Sequence, residues 1–133
     1  MRIAECGLRN EELRVSDSDL NRRTKAFAIR IITLVDGLPK TVASRALASQ
    51  VVRSGTSVAA NYRAACRARS QAEFIAKMGI VEEEADETLF WLELLEESQI
   101  VPSAKLELIK QEANELIAIT VASIKTARVN QKR

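Results

Sequence analysis

Histidine does not occur among the 133 residues, so the commonest general base and metal ligand at neutral pH is missing. A carboxylate-bridged di-iron bundle, which needs inward-facing Glu-x-x-His pairs, is excluded with it. Only four glycines and two prolines are present, while Ala, Leu, Ile, Glu, Lys and Arg dominate, a composition that favours helix over β structure. No apolar run approaches the roughly 18 residues that span a bilayer. Glu5, Arg9, Glu11 and Glu12 stand where a signal peptide needs an apolar stretch. A soluble cytoplasmic protein without membrane contact is expected. Cys6 and Cys66 are the only cysteines; one in a tail and one in a helical segment, they make no disulfide framework, and reduced thiols are expected. No Walker loop, dinucleotide-binding glycine pattern or nucleophile elbow occurs. No catalytic residue, cofactor, metal site or small-molecule substrate is therefore assigned. The acidic run "EEEADE" at 82–87 spreads around a helix, where solvation or pairing explains it.

What is present reads as one domain, long enough to bury a core without disulfide or metal staples. Residues 1–18 mix small, charged and turn-forming types without a sustained period and are expected to be a mobile tail. Ser18 or Asp19 then caps a helix with Leu20, Phe27, Ile31 and Leu34 on one face, ended by Gly37 and Pro39. A second helix is expected from about Lys40 to Arg69. Ser70 with Glu73 forms a capping box that starts a third, running to about Ser98. After "SQIVPS" a fourth runs from about Ala104 to Arg128, with Leu106, Ile109, Ala113, Leu116, Ile117, Thr120 and Ile124 at spacings of three and four. Short connections between long amphipathic helices predict an all-α, up-down-up-down antiparallel four-helix bundle over 19–128, with 129–133 as a C-terminal tail.

Charge is sorted along this order. The net formal charge is +6 over 40–70, which has no acidic residue, and −8 over 71–101, against +2 for the whole chain. On a wheel of the second helix at roughly 100° per residue, Leu47, Val51, Val52, Gly55, Val58, Ala59, Tyr62 and Cys66 form the core face. Arg45, Arg53, Arg63 and Arg67 form a basic stripe. Ala46, Gln50, Ser54, Ser57, Asn61 and Ala64 make a small polar face suited to close approach of another helix. In the third helix, Phe74, Met78, Val81, Ala85, Thr88, Leu89, Leu92 and Leu95 point inward. Ile80, Trp91 and Leu94 form a second apolar group beside Glu84 and Glu87. One bundle uses only one of these faces, and an exposed apolar patch marks an interaction site, so self-association is expected. The plainer alternative is that Trp91 lies at the bundle edge. Gly55 inside a helix costs about 1 kcal/mol relative to Ala, and close packing against a neighbouring helix would compensate.

The stretch "QVVRSGTSVAANYRAACRARSQAEFIAKMGIVEEEADETLFWLELL" resembles the bacterial four-helix-bundle family encoded by intervening sequences in 23S ribosomal RNA genes, akin to the accessory variability determinant of diversity-generating retroelements. The resemblance covers about Thr24 to Ala127. It is met at Leu38, Pro39, Gln50, Arg53, Ser57, Ala60, Asn61, Phe74, Lys77, Glu84, Ala85, Glu87, Trp91 and Leu92. It departs at Ala64, where relatives tend to have Glu, so a partner of Arg53 or Arg63 is lost here. The resemblance implies a ring-shaped homopentamer and, from the retroelement relative, a basic surface that holds a reverse transcriptase and nucleic acid.

Two functions follow as expectations. In the first, a non-enzymatic oligomeric accessory or adaptor protein contacts structured RNA, or an RNA-bound partner, through Arg45, Arg53, Arg63 and Arg67. Phosphate contacts add with number, although the stripe lacks the interleaved aromatics of a base-stacking platform. Its oligomer interface comprises Gln50, Ser57, Asn61, Ile80, Glu84, Glu87, Trp91 and Leu94. In the second, the assembly is a protein-protein interaction scaffold that touches no nucleic acid.

Overall fold

Each interruption between helices has its own local cause. The computed structural model describes residues 11–132. Among them are four helices and no strand: α1 (Glu11–Asp36), α2 (Val42–Cys66), α3 (Gln71–Glu97) and α4 (Ser103–Gln131). After α1, the N–H of Gly37 reaches the Leu34 carbonyl at 3.1 Å and that of Leu38 the Val35 carbonyl at 3.2 Å. Thr41, extended at φ −97° and ψ 165°, then caps α2 by accepting the Ser44 N–H on its hydroxyl. Between α2 and α3, Ser70 accepts the Glu73 N–H at 3.0 Å, as the capping box requires. The reciprocal bond lands one residue early: Glu73 accepts the N–H of Arg69, at 2.8 Å. Between α3 and α4 the chain makes a Schellman turn. Gln99 takes a left-handed φ of 63°, its N–H meets the Glu96 carbonyl, and the Ile100 N–H returns to the Leu95 carbonyl, both at 3.0 Å.

Two helix ends differ from expectation. α1 begins at Glu11 rather than at Asp19, so 11–18 are helical where a tail was expected; residues 1–10 lie outside the described residues. No glycine or proline separates 11 from 36. α4 likewise runs on to Gln131, through most of the expected C-terminal tail. Nothing in "ARVNQ" stops a helix, and the Lys132 N–H closes it on the carbonyls of Arg128 and Val129.

The apolar periodicity places the core. Phe27 and Ile31 of α1, Val51, Val58 and Tyr62 of α2, Phe74, Met78, Leu92 and Leu95 of α3, and Leu106 and Leu116 of α4 are fully buried. Each such large side chain contributes about 1.5–3 kcal/mol by leaving water. Every inward residue expected on α3 is buried except Leu89, which is half-buried, and on α4 all are buried except Ile117, also half-buried. The α2 face turns further toward α3 than expected: Ser44, Ser54 and Ala65 are buried, whereas Leu47, Val52, Ala59 and Cys66 are half-buried.

Consecutive helices pack on each other, and α1 meets α4 only sparsely. Gly55 lets α2 approach Ile31 of α1. The buried hydroxyls of Ser54 and Thr88 meet at 2.9 Å between α2 and α3. Gln71 donates from the start of α3 to the Ala127 carbonyl late in α4 at 3.3 Å, while Glu96 near the end of α3 accepts from Ser103 at the start of α4 at 2.6 Å.

Candidate functional site

The small polar face of α2 and the second face of α3 meet along one outward groove. Arg53, half-exposed on α2, donates from Nη1 to Glu84 Oε2 at 3.1 Å and from Nη2 to Glu87 Oε2. Ser57 also donates to Glu84 Oε2, at 3.1 Å. Asn61, one turn further along α2, donates from Nδ2 to the Ser57 hydroxyl at 2.8 Å and to its carbonyl at 2.9 Å. Trp91 donates its indole N–H to Glu87 Oε2 at 3.0 Å. The indole and the Arg53 guanidinium together hold Glu87 below the usual carboxylate range, the indole contributing more. The two carboxylates in turn raise Arg53 above its ordinary value, Glu84 first. One acceptor is left over: Glu84 Oε1 is buried with no hydrogen-bond partner.

This network joins Arg53 of the expected basic stripe with Ser57, Asn61, Glu84, Glu87 and Trp91 of the expected oligomer interface. Gln50 is exposed at the end of the same face, and Ile80 and Leu94 are half-buried on α3. The second apolar group is thus less open than expected. Trp91 is half-buried and packs against the core, because the small α2 residues opposite leave room and Glu87 anchors its N–H. The apolar side chain that α3 does expose is Phe90, 50% accessible and edge-to-face with Trp91 at 5.0 Å between ring centroids.

The arginine stripe does not act as a unit. Arg53 leans to α3 and is paired. Arg45, Arg63 and Arg67 are exposed, and among the described residues no ion pair holds them. Arg63 and Arg67 turn to α1 instead. There they line a cavity of about 320 Å³ with Asn21, Lys25 and Cys66. Lys25 and Asn21 went unnoticed in the sequence, where their only signal is an i, i+4 pair of polar residues outside the apolar period of α1. Cys66 corrects a second expectation. It is half-buried and disulfide-bonded rather than a reduced thiol.

Ion pairs close two further seams. Between α1 and α4, Arg23 donates from Nε and Nη2 to both oxygens of Glu112 at 3.0 and 2.6 Å and to Glu115 at 2.9 Å. The Glu112 carboxylate is the main cause of a guanidinium pKa raised above its ordinary value. Beside the α3–α4 turn, Lys110 is paired with Glu96, on the edge of a larger and more open concavity of about 860 Å³ that Glu107 and Glu115 also line.

The model of the 23S rRNA-intervening sequence protein family matches residues 16–122, from within α1 to within α4. The crystal structure of a protein of unknown function from the S23 ribosomal protein family of Bacteroides thetaiotaomicron VPI-5482 is similar to this chain. It is 34% identical, the match covers 81% of this chain and 96% of that one, and the TM-score is 0.75. No curated protein matches the chain.

Proposed function

This chain belongs to the 23S rRNA-intervening sequence protein family, and from that premise we propose that it is a non-enzymatic, oligomeric accessory protein of the cytoplasm that contacts structured RNA through the basic face of α2. The observation that carries the reading is the set of Arg45, Arg63 and Arg67, exposed and without a carboxylate partner among the described residues, on a helix that has no acidic residue at all. Among the described residues no helix is long and apolar enough to cross a membrane. The names of the family and of the Bacteroides relative refer to 23S rRNA and to a ribosomal protein, which supports RNA as the partner.

The protomer is an up-down-up-down antiparallel bundle, a reading supported by pairs such as Ser57 with Glu84 and Arg53 with Glu87, whose numbers run in opposite directions. Protomers join head to tail into a ring-shaped homopentamer. A basic face on α2 and an acidic outward face on α3 suit a heterologous contact, and that kind of contact closes into rings. Gln50, Ser57, Asn61, Ile80, Glu84, Glu87, Trp91 and Leu94 form the interface, where an incoming donor would satisfy Glu84 Oε1. Repetition around the ring multiplies phosphate contacts, each of which steepens the salt dependence of binding.

The test is fluorescence anisotropy of a labelled ribosomal RNA hairpin over a series of salt concentrations. Binding that weakens steeply with salt, and weakens again in Arg63→Glu/Arg67→Glu, is the expected result. Absence of binding even at low salt would sink the RNA reading. It would favour the scaffold instead, for which the exposed Phe90 beside Trp91 is the specific support.

A further inference from the structure

Two of the inter-helix seams are closed by an arginine held by two glutamates: Arg23 with Glu112 and Glu115 between α1 and α4, and Arg53 with Glu84 and Glu87 between α2 and α3. The α1–α2 seam breaks this pattern. Lys25 of α1 and Arg63 and Arg67 of α2 surround one cavity, and among the described residues no carboxylate lines it. On α1, Asp19 is engaged by Arg22 and Arg23. Like charges gathered without a counter-charge oppose folding, so the structure asks what compensates them.

The α2 terminus accounts for part of the answer. Arg63 lies in the last turn of α2 and Arg67 is its C-cap, positions where a cation complements the negative end of the helix dipole. Lys25 has no such reason, because it stands well inside α1. Besides their charge, these side chains bring only donors: a guanidinium offers five N–H groups in a fixed fork and an ammonium three. Asn21 adds an amide. The cavity, about 320 Å³, lies at the lower end of the roughly 300–1,000 Å³ range of ligand sites.

We propose that the cavity between α1 and α2 is a phosphate seat, in which Lys25, Arg63 and Arg67 bind the oxygens of one phosphate group and Asn21 supplies a neutral donor. It rests on the RNA reading only for the source of that phosphate, a backbone phosphodiester; free inorganic phosphate presents the same chemistry. The seat assigns RNA contact to the α1–α2 pair rather than to α2 alone, and it leaves Arg53 out.

The full-length chain is titrated with inorganic phosphate at constant ionic strength, with chloride as the balancing anion, and the arginine and lysine side-chain NMR signals are followed. The same protein is titrated with the RNA hairpin. Wild type is compared with Lys25→Gln and with Arg45→Gln, which lies outside the cavity; both side chains are exposed, so folding is kept. Lys25→Gln should weaken both ligands roughly tenfold and lower the RNA salt slope by about one, with Arg45→Gln leaving phosphate affinity unchanged. Saturable phosphate binding lost in Lys25→Gln, with no RNA binding, would uphold the seat and overturn the RNA reading. RNA binding that Lys25→Gln does not weaken, with no saturable phosphate effect, would overturn the seat and leave the RNA reading standing.

Discussion

Gly55 of α2 and Ile31 of α1 meet so closely that a Cβ on the glycine would stand 2.9 Å from both Cγ atoms of Ile31. Ile31 is fully buried and β-branched, so it has little freedom to withdraw. Gly79 of α3 is the opposite case, with nothing within 4 Å of the position its Cβ would take.

The two glycines therefore respond oppositely to alanine. Gly55→Ala gains about 1 kcal/mol of helix propensity but overpacks the α1–α2 contact at a cost of roughly 1–3 kcal/mol, and a net loss of stability is expected. Gly79→Ala gains the propensity with no clash and should stabilise by up to about 1 kcal/mol. Urea unfolding of both variants checks the signs, and a stabilised Gly55→Ala would show that the two helices can move apart freely.

Gln99 holds a left-handed φ of 63° at the end of α3, a conformation that costs a residue with a Cβ roughly 1–2 kcal/mol. Gln99→Gly should raise stability by about 0.5–1 kcal/mol after the greater chain entropy of unfolded glycine is allowed for. A thermal midpoint no higher than that of wild type would count against the Schellman turn.

Acid should weaken the fold through two carboxylates. Glu87, beside Trp91 and Arg53, and Glu96, beside Lys110 and Ser103, are both held below their ordinary value of 4.5. A carboxylate depressed in the folded state stabilises above its unfolded pKa and loses that contribution as pH falls through the folded one. The midpoint of wild type should thus fall more steeply below about pH 4.5 than that of Glu87→Gln/Glu96→Gln, and the two curves should converge at lower pH. Parallel curves throughout would show that these pairs contribute nothing in solution, as exposed ion pairs often do not.

Assembly is tested apart from RNA. Trp91→Ala removes the ring that covers the α2–α3 groove, and Asn61→Arg places a long cation on its small polar face. Both should yield species of lower mass in light scattering than wild type. Unchanged mass in both would move the proposed interface elsewhere on the surface.

How far the residues alone reach differs from helix to helix. The inward faces of α3 and α4 could be read because large apolar side chains recur at helical spacing, and that period survives whatever the helices pack against. The buried face of α2 is slightly rotated from the one the helical wheel predicts. It buries Ser44, Ser54 and Ala65, small side chains whose burial depends on how near the next helix comes. α1 and α4 extend beyond the bounds that apolar periodicity predicts, because the residues beyond carry no stop signal and a helix can continue without an apolar period.

The sequence by itself determined the four-helix class, the capping box at Ser70, the inward stripes and the segregation of charge between α2 and α3, because these depend on neighbours within a few residues. Only the tertiary structure decided which arginine is paired. Arg45, Arg53, Arg63 and Arg67 lie within one arc of a wheel, yet α2 sits between two helices of different charge. Arg53 falls on the side of Glu84 and Glu87, and Arg63 and Arg67 on the side of Lys25. Coulomb energy falls with distance across space and not along the chain, so the register between helices divides one stripe into a closed salt bridge and an open basic cavity.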